Sequence, residues 1–453
     1  LAGHRQIDLP AWRNSLNTTI AALATPHGTG GIAIVRVSGP EAEHLLRACF
    51  VPAGTENFDS HRLMYGHAVQ DGQAMDECMA VLMKAPRSYT REDVAEIHTH
   101  GGPFVAQRVL NHLYALGAQP AAPGEFTRRA FLNGRVDLSR AEAVMQLVSA
   151  SGARAADAAL RQLSGGVSAF ITTAREELVS MLAAVEAALD YPEEVEEEVT
   201  ADLSPRAHKL AHTLLEACDE RAAAILVEGL EVVIAGKPNV GKSSLLNRLL
   251  NEQRAIVTDI PGTTRDIVRG DMMVDGVRVK LSDTAGIRDD ADTVEQIGVD
   301  RARKAIQHAD LVLLVLDASR PITQQDTDLL ALASSRAHLV VRNKSDLPQA
   351  AGVPDGIAVS AKTGEGMAEL LRHIAAHAGQ PGETLLTQAR HMHLARNAAG
   401  SLLECAQRVA AGDPLDLCAV YLNDALRALG EITGEQANDD VLDSIFSTFC
   451  VGK

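Results

Sequence analysis

Gly236-Lys237-Pro238-Asn239-Val240-Gly241-Lys242-Ser243 is the stretch on which the fold turns. It has two glycines at the spacing of a P-loop followed by Lys and Ser, and it separates an apolar run, 232–235, from a helix-forming one. Glycines here let the backbone curl until its N–H groups converge on phosphate oxygens at a helix N-terminus. Lys242 then brings a point charge to the β- and γ-phosphates, and the Ser243 hydroxyl is a ligand for Mg²⁺. Asn239, Val240, Gly241, Lys242, Ser243 and Ser244 form the candidate phosphate-binding set. From composition alone such a pattern arises in roughly one or two chains in a hundred of this length.

Three further stretches follow in order. Asp283-Thr284-Ala285-Gly286 comes after the apolar-rich strand 277–281. Its carboxylate can hold Mg²⁺ through water, and the Gly286 N–H can meet the γ-phosphate. Asn343-Lys344-Ser345-Asp346 ends another apolar strand. The Asp346 carboxylate can accept from the guanine N1–H and 2-amino group; adenine has neither donor and would leave the carboxylate desolvated and unpaired. Ser360-Ala361-Lys362, after strand 357–359, offers a backbone N–H to the guanine O6. From 231 to 379 strands and helices alternate, which predicts a doubly wound α/β domain. The expected activity is GTP hydrolysis.

This part of the chain resembles the translation-factor-type GTPase domains of the Ras-like superfamily. The resemblance places Thr258, Asp259, Ile260, Pro261, Gly262, Thr263 and Thr264 at the nucleotide, with Thr264 as the second Mg²⁺ ligand. One departure is informative: Ile287 stands where many such enzymes carry a water-orienting Gln. An aliphatic side chain cannot polarise water, so hydrolysis needs another group, and Asp289, Asp290, Asp292 and Glu295 are the acidic candidates downstream. No arginine finger is assignable from spacing. Asn239 offers a side-chain oxygen beside the phosphates, where a monovalent cation could do the finger's electrostatic work.

The remaining composition bounds the rest. A chain of 453 residues implies about two to four domains. Aromatic residues make up only 3%, so cores must be built from Ala, Leu, Val and Ile, as in packed helices and buried parallel strands. A net charge of −17 opposes general binding to a phosphate backbone unless a local basic patch or a partner protein supplies the attraction. The six cysteines contain no CxxC pair, which reads as a reduced, cytosolic protein without structural zinc. His98-Thr99-His100 puts two imidazoles on one strand face, but no third ligand lies nearby in sequence. No apolar run reaches membrane-spanning length and no signal-peptide layout is present, so no membrane partner is expected. Residues 1–17 begin without Met, lack strong periodicity, and read as a processed or added extension.

Residues 18–131 mix short β-rich runs, 32–37 and 79–83, with Gly/Pro turns and one helix-like segment, 103–116, which predicts an α+β domain. From 138 to 189 the sequence turns Ala- and Leu-rich with helical spacing, as in Leu178, Leu182, Val185 and Leu189. Tyr191-Pro192 breaks it, and the acidic run 193–198 reads as a solvated linker or helix face. The chain is helical again from 384, and nothing in the sequence says whether the two helical stretches pack together.

The flanks narrow the family. Ala24-Thr25-Pro26-His27-Gly28-Thr29-Gly30-Gly31, Glu96-Ile97-His98-Thr99-His100-Gly101-Gly102, Pro123-Gly124-Glu125-Phe126-Thr127 and Phe131-Leu132-Asn133-Gly134-Arg135-Val136-Asp137-Leu138 precede the GTPase motifs. Cys450-Val451-Gly452-Lys453 follows them. With Gly262-Thr263-Thr264-Arg265-Asp266, this order resembles the MnmE (TrmE) family of tRNA modification GTPases from residue 18 onward. The resemblance implies a multidomain α+β and α/β protein. After the extension 1–17 come a folate-binding and dimerisation domain, 18–132, and the first part of a discontinuous helical domain, 133–228. An inserted Ras-like G domain, 229–379, and the second helical part, 380–453, complete it.

It also implies a homodimer that binds a 5-formyltetrahydrofolate-type one-carbon donor at Arg36, Glu96, Arg135 and Lys453. A carboxylate such as Glu96 suits the pterin amide and amino donors, and arginines suit folate carboxylates. Arg135 stands where the family often has Lys, which keeps the charge but changes the contact geometry. Mg²⁺ is implied at Ser243 and Thr264, and potassium at Asn239, Thr258, Thr263 and the backbone of Ile260. Among the four acids, the resemblance selects Glu295 as the residue that orients water. The catalytic candidates are thus Glu295, Lys242 and Cys450, the last reading either as a core thiol or as a catalytic or redox cysteine. The implied setting is cytoplasmic. With the FAD-containing partner MnmG, in a heterotetramer or larger complex, the enzyme would install a carboxymethylaminomethyl-type group on the wobble uridine of certain tRNAs. A rival from another class, a GTP-dependent ribosome or assembly switch without modification chemistry, accounts for the GTPase motifs but not for the folate-type motifs or the final CVGK.

Overall fold

Alternation of buried and outward residues along Ile32–Ser38, Met64–Gln70 and Val94–His100 organises the first sheet. Its strands are β1 (Ile20–Leu23), β2 (Ile32–Ser38), β3 (Phe50–Pro52), β4 (Met64–Gln70), β5 (Gln73–Met83), β6 (Val94–His100) and β7 (Gln119–Pro120), in the order β3-β4-β5-β6-β2-β1-β7. Ala95, Ile97 and Thr99 of β6 and Val35 and Val37 of β2 are buried. Helices Ala42–Cys49 and Pro103–Ala115 cover that face with Leu45, Leu46, Val109 and Leu113. The period of two sends Glu96 and His98 the other way. The antiparallel register of β2 on β6 sets Arg36 directly opposite Glu96.

The computed structural model describes residues 17–54, 57–252, 269–283, 303–379 and 386–453. The expectations placed on Thr258, Asp259, Ile260, Pro261, Gly262, Thr263, Thr264, Thr284, Ala285, Gly286, Ile287, Asp289, Asp290, Asp292 and Glu295 lie outside the described residues. The chain divides into two compact units, one of Leu1–Met145, Ser168–Arg175 and Leu429–Lys453, the other of Gln146–Val167 and Glu176–Ala428.

Within the first unit the helix Asp439–Ser447 carries Phe446 to the rings of Phe131 and Phe449, with centroids 6.4 and 5.4 Å apart. Two glycines admit this tail. Gly124 has φ +66°, and a Cβ there would stand 2.7 Å from the Phe446 carbonyl oxygen. Gly452 has φ +93°, and its Cβ would stand 2.2 Å from the Leu23 carbonyl oxygen, at the end of β1. Arg129, only 1% exposed, lies in the helix Glu125–Leu132. It donates to Glu125 at 2.9 Å, to Glu92 at 3.2 Å and to the Thr18 carbonyl at 2.8 Å.

The second unit contains a six-stranded sheet, ordered β13-β12-β11-β8-β10-β9. Its strands are β8 (Leu230–Ala235), β9 (Arg269–Val274), β10 (Val277–Asp283), β11 (Leu311–Asp317), β12 (His338–Asn343) and β13 (Ile357–Ala358). All neighbours are parallel except the β9–β10 hairpin, whose turn residues Asp275 and Gly276 have φ +50° and +76°. Near-continuous apolar strands follow from burial on both faces. Val232 and Ile234 of β8 and Leu313 and Val315 of β11 enter one core, while Val233, Ala235, Val312 and Leu314 enter the other. Residues 176–190 of the helix Gly166–Asp190 belong to this unit and meet the helix Pro192–Glu216 at Tyr191, where the sequence predicts a break, and the acidic run 193–198 lies on the second helix. That helix, which lies beyond the helical stretch 138–189, packs along Ala389–Ala411 of the stretch that follows 384.

Cys49, Cys78, Cys218, Cys405 and Cys418 are buried thiols, and Cys450 is exposed. Burial pushes the Cys49 and Cys405 thiols up to about 12, which makes them inert packing groups at neutral pH. Among the described residues no group of three or more His, Cys, Asp or Glu could hold a metal ion, and no helix is long and apolar enough to cross a membrane.

Removing one partner from a buried ion cluster strands the others. Arg129→Ala is expected to destabilise the first unit by about 3–5 kcal/mol, read as a lowered urea midpoint in full-length protein with the transition followed by hydrogen exchange in β1 and β2. An unchanged midpoint would mean that Glu92 and Glu125 are satisfied without it.

Candidate functional site

β8 is the strand at which the order reverses, with β11 on one side and β10 on the other, so the loop after it emerges at a topological switch point. Gly241 has φ +99°, and a Cβ there would lie 2.2 Å from Asn343 Nδ2, so only glycine allows the loop to close against β12. Asn239, exposed, takes φ +66°, a left-handed conformation that Asn tolerates better than most residues. The helix Lys242–Glu252 begins at the end of the loop. Lys242 Nζ donates to the carbonyls of Gly236 and Lys237, both at 2.8 Å. Burial lowers its pKa below the ordinary lysine range, an effect that Asp283 opposes. Ser243 Oγ donates to Asp283 Oδ2 at 2.8 Å, and Asp283, the last residue of β10, is buried. Two of the oxygens expected near Mg²⁺ therefore lie side by side.

The guanine-side motifs converge on one buried amide. Asn343 donates through Nδ2 to the Val240 carbonyl at 2.8 Å and accepts through Oδ1 from the Ala361 N–H at 3.0 Å. Lys344, at φ +66°, donates to the Asn239 carbonyl at 3.1 Å and to Asp317 Oδ2 at 2.7 Å. Ser360 Oγ donates to Asp346 Oδ1 at 2.7 Å and accepts from the Thr363 N–H at 3.1 Å, which orients an otherwise exposed carboxylate.

Sequence reasoning missed two supports of this site. Asp317 ends β11; burial would raise its pKa, but the bonds from Lys344 and Ser319 outweigh it and hold the carboxyl below its usual range. Lys237 Nζ reaches Asp326 at 2.6 Å and Thr323 Oγ1 at 2.8 Å, tying the loop to the N-terminus of the helix Gln324–Ala333. The Thr323-x-x-Asp326 spacing of a capping box was a readable signal for that helix start, but not for its partner. A cavity of about 210 Å³ lies there, between Lys237, Asn239, Asp317 and Asp326.

The first unit builds a second polar site. Arg36 Nε meets Glu96 Oε1 at 2.8 Å, and Arg36 Nη1 donates to the Gly452 carbonyl at 3.2 Å. His98 Nε2 lies 3.2 Å from the other Glu96 oxygen. Burial alone would raise the Glu96 pKa, but His98 and Arg36 together hold the carboxyl below its ordinary value. The Arg36 guanidinium also lies 5.6 Å from the ring centroids of Tyr89 and Phe126. Arg135 stacks over Tyr89 at 4.7 Å and donates to its carbonyl at 3.1 Å. Lys453 is held through its backbone N–H, which donates to the Cys450 carbonyl at 3.3 Å. Arg36, Glu96, the CVGK tail and, through Tyr89, Arg135 therefore assemble in one region of this unit. Tyr89 carried no sequence signal for this role; the signal for His98 was its place two residues from Glu96 on one strand, which puts both on the same face.

The chain matches two family models, "GTP-binding protein TrmE N-terminus" over residues 19–135 and "MnmE helical domain" over residues 138–450. It is 45% identical to the tRNA modification GTPase MnmE of Streptococcus thermophilus, covering 96% of this chain and 98% of that protein. It is 46% identical to the protein of the same name from Geobacter sulfurreducens, covering 96% of this chain and 99% of that one.

The exposed, Ser360-oriented carboxylate of Asp346 makes a direct forecast. Asp346→Asn is expected to weaken GTP binding about 100-fold and to admit xanthosine triphosphate, whose ring presents an acceptor where guanine presents an amino donor. Titration with both nucleotides checks this, and equal GTP affinity in the variant would remove Asp346 from base recognition.

Proposed function

Since the chain belongs to the MnmE (TrmE) family of tRNA modification GTPases, we propose that it is the potassium-stimulated member of a wobble-uridine modification system that uses a tetrahydrofolate one-carbon donor. Its FAD-containing partner is MnmG, its substrate RNA is tRNA, and it works as a homodimer in the cytoplasm. The division into a folate-binding domain, 18–132, an inserted G domain, 229–379, and a helical domain in two parts belongs to the same reading.

The chemistry follows from the residues. Lys242, held by loop carbonyls, turns its charge to the β- and γ-phosphates when GTP enters, and the loop N–H groups bind their oxygens. The adjacent oxygens of Ser243 and Asp283 suit a hard divalent cation; with Thr264 they are the residues that would hold Mg²⁺, which supplies charge neutralisation at the phosphates. Asn239 places an exposed amide in the same loop, and with Thr258, Thr263 and the Ile260 backbone it is the residue set for potassium, in the electrostatic place of an arginine finger. Glu295 orients the attacking water, since Ile287 cannot. In the first unit, Glu96 stays ionised at neutral pH and so accepts hydrogen bonds from pterin donors, while Arg36, Arg135 and Lys453 meet carboxylates. Cys450, exposed next to this site, is available as a redox or catalytic thiol.

One observation carries the choice over a GTP-dependent assembly switch: the Arg36–Glu96 pair capped by the Gly452 carbonyl, a built polar site that such a switch does not need. Nucleoside analysis of tRNA from cells lacking the protein is expected to show loss of the wobble-uridine modification, restored by the wild type and not by Glu96→Ala. Unchanged nucleosides would favour the assembly switch. GTP hydrolysis is expected to run several-fold faster in potassium than in sodium at equal ionic strength, a condition that excludes general screening. Asn239→Ala should lose most of the difference, and identical rates in the two salts would rule out a potassium site.

A further inference from the structure

Beside Tyr89, within the first unit, a concavity of about 500 Å³ is framed by Arg87, Arg91 and Arg135 over a floor that includes Met83 and Pro86. All three arginines are exposed. Arg91 donates to the Asn133 carbonyl at 2.9 Å and Arg135 to the Tyr89 carbonyl at 3.1 Å. Backbone carbonyls fix the Arg91 and Arg135 guanidiniums in place but do not neutralise them. In a chain with 59 acidic against 42 Lys and Arg residues, three cations around one hollow are a concentrated exception.

Tyr89 joins this hollow to the Arg36–Glu96 pair, because Arg36 and Arg135 both lie over its ring, at 5.6 and 4.7 Å. The combined surface is polar in a definite sense. One end presents an ionised acceptor, Glu96, and the other presents cations above aliphatic surface. A ligand matched to it carries hydrogen-bond donors at one end and several carboxylates on short methylene chains at the other.

We propose that the Arg87, Arg91 and Arg135 concavity binds the glutamate chain of a poly-γ-glutamylated folate, so that the preferred donor is the polyglutamate and not the monoglutamate. This rests on the folate reading of the Arg36–Glu96 site. Each added γ-linked glutamate brings one more carboxylate for a bidentate guanidinium contact, and its two methylenes lie on Met83 and Pro86. Arg135 receives the first glutamate; Arg87 and Arg91 select for the later ones. Exposed pairs are individually weak and salt-sensitive, so the selection is expected to be modest and to fade with ionic strength.

Calorimetry on the full-length protein at low salt, with 5-formyltetrahydrofolate as monoglutamate and as triglutamate, tests this. The triglutamate is expected to bind about tenfold tighter, and the gain should shrink at high salt. Arg87→Gln and Arg91→Gln should each lose much of the gain and keep the monoglutamate affinity, which also shows that the variants remain folded. Equal affinities for the two ligands would overturn the proposal while leaving the folate site standing. So would a gain that survives both substitutions. If equal affinities came with weaker tRNA binding by Arg87→Gln, the hollow would be a phosphate site for RNA. No binding of either folate would overturn the underlying reading, and the proposal with it.

Discussion

The side-chain amide of Asn343 holds together three stretches of chain that are far apart in sequence. Its nitrogen donates to the carbonyl of Val240 in the phosphate loop, and its oxygen accepts from Ala361 beyond β13. At 2% exposure, neither half of the amide has water to fall back on. Leaving either partner unsatisfied costs about 1–3 kcal/mol, and the loop it braces is the one that presents Lys242 and Ser243. The close approach that makes the bond possible depends in turn on Gly241, where any side chain would collide with the same amide. Base-side and phosphate-side geometry are therefore one constraint.

Charge placement around that amide follows a consistent rule. Lys344 and Lys242 both spend their donors on loop carbonyls, and Lys344 also meets Asp317. Lys237 does the same work by clamping Asp326, the residue that accepts from the Thr323 N-cap of the helix Gln324–Ala333. These contacts leave the loop with fixed backbone positions and a lysine that burial makes less basic. Such preorganisation is what a site needs if charge is to be stabilised only as it develops on the phosphates.

The first unit solves a different problem with the same means. Glu96 is a half-buried carboxylate on the outward face of a sheet, which would tend to take up a proton if left alone. Arg36 across the strand and His98 on the same face keep it ionised, and the Gly452 carbonyl takes a further Arg36 donor. Nearby, the buried Arg129 cluster joins the start of β1 to the helix Glu125–Leu132. The sheet is thus locked by polar contacts on one side and by aliphatic packing on the other.

Much of this was legible in the amino-acid order, because local chemistry imposes it. A P-loop needs glycine at positions of positive φ, a lysine and a hydroxyl at a helix start, and apolar strands on either side, and these show as a linear pattern. The strands 230–235 and 311–317 announce themselves by continuous apolar residues, since burial on both faces removes any alternation. The residues of the Arg36–Glu96 site were legible only through a family resemblance, as nothing in the spacing of Arg36, Glu96 and Gly452 says that they meet. Their meeting is decided by the β2–β6 register and by a glycine that lets the tail lie against Leu23. Tyr89, Asp317 and the Lys237–Asp326 clamp were invisible for the same reason, whereas His98 beside Glu96 follows from the period of two along one strand. Each acts through a partner brought near by packing, and a contact between residues distant in sequence leaves no periodicity to read.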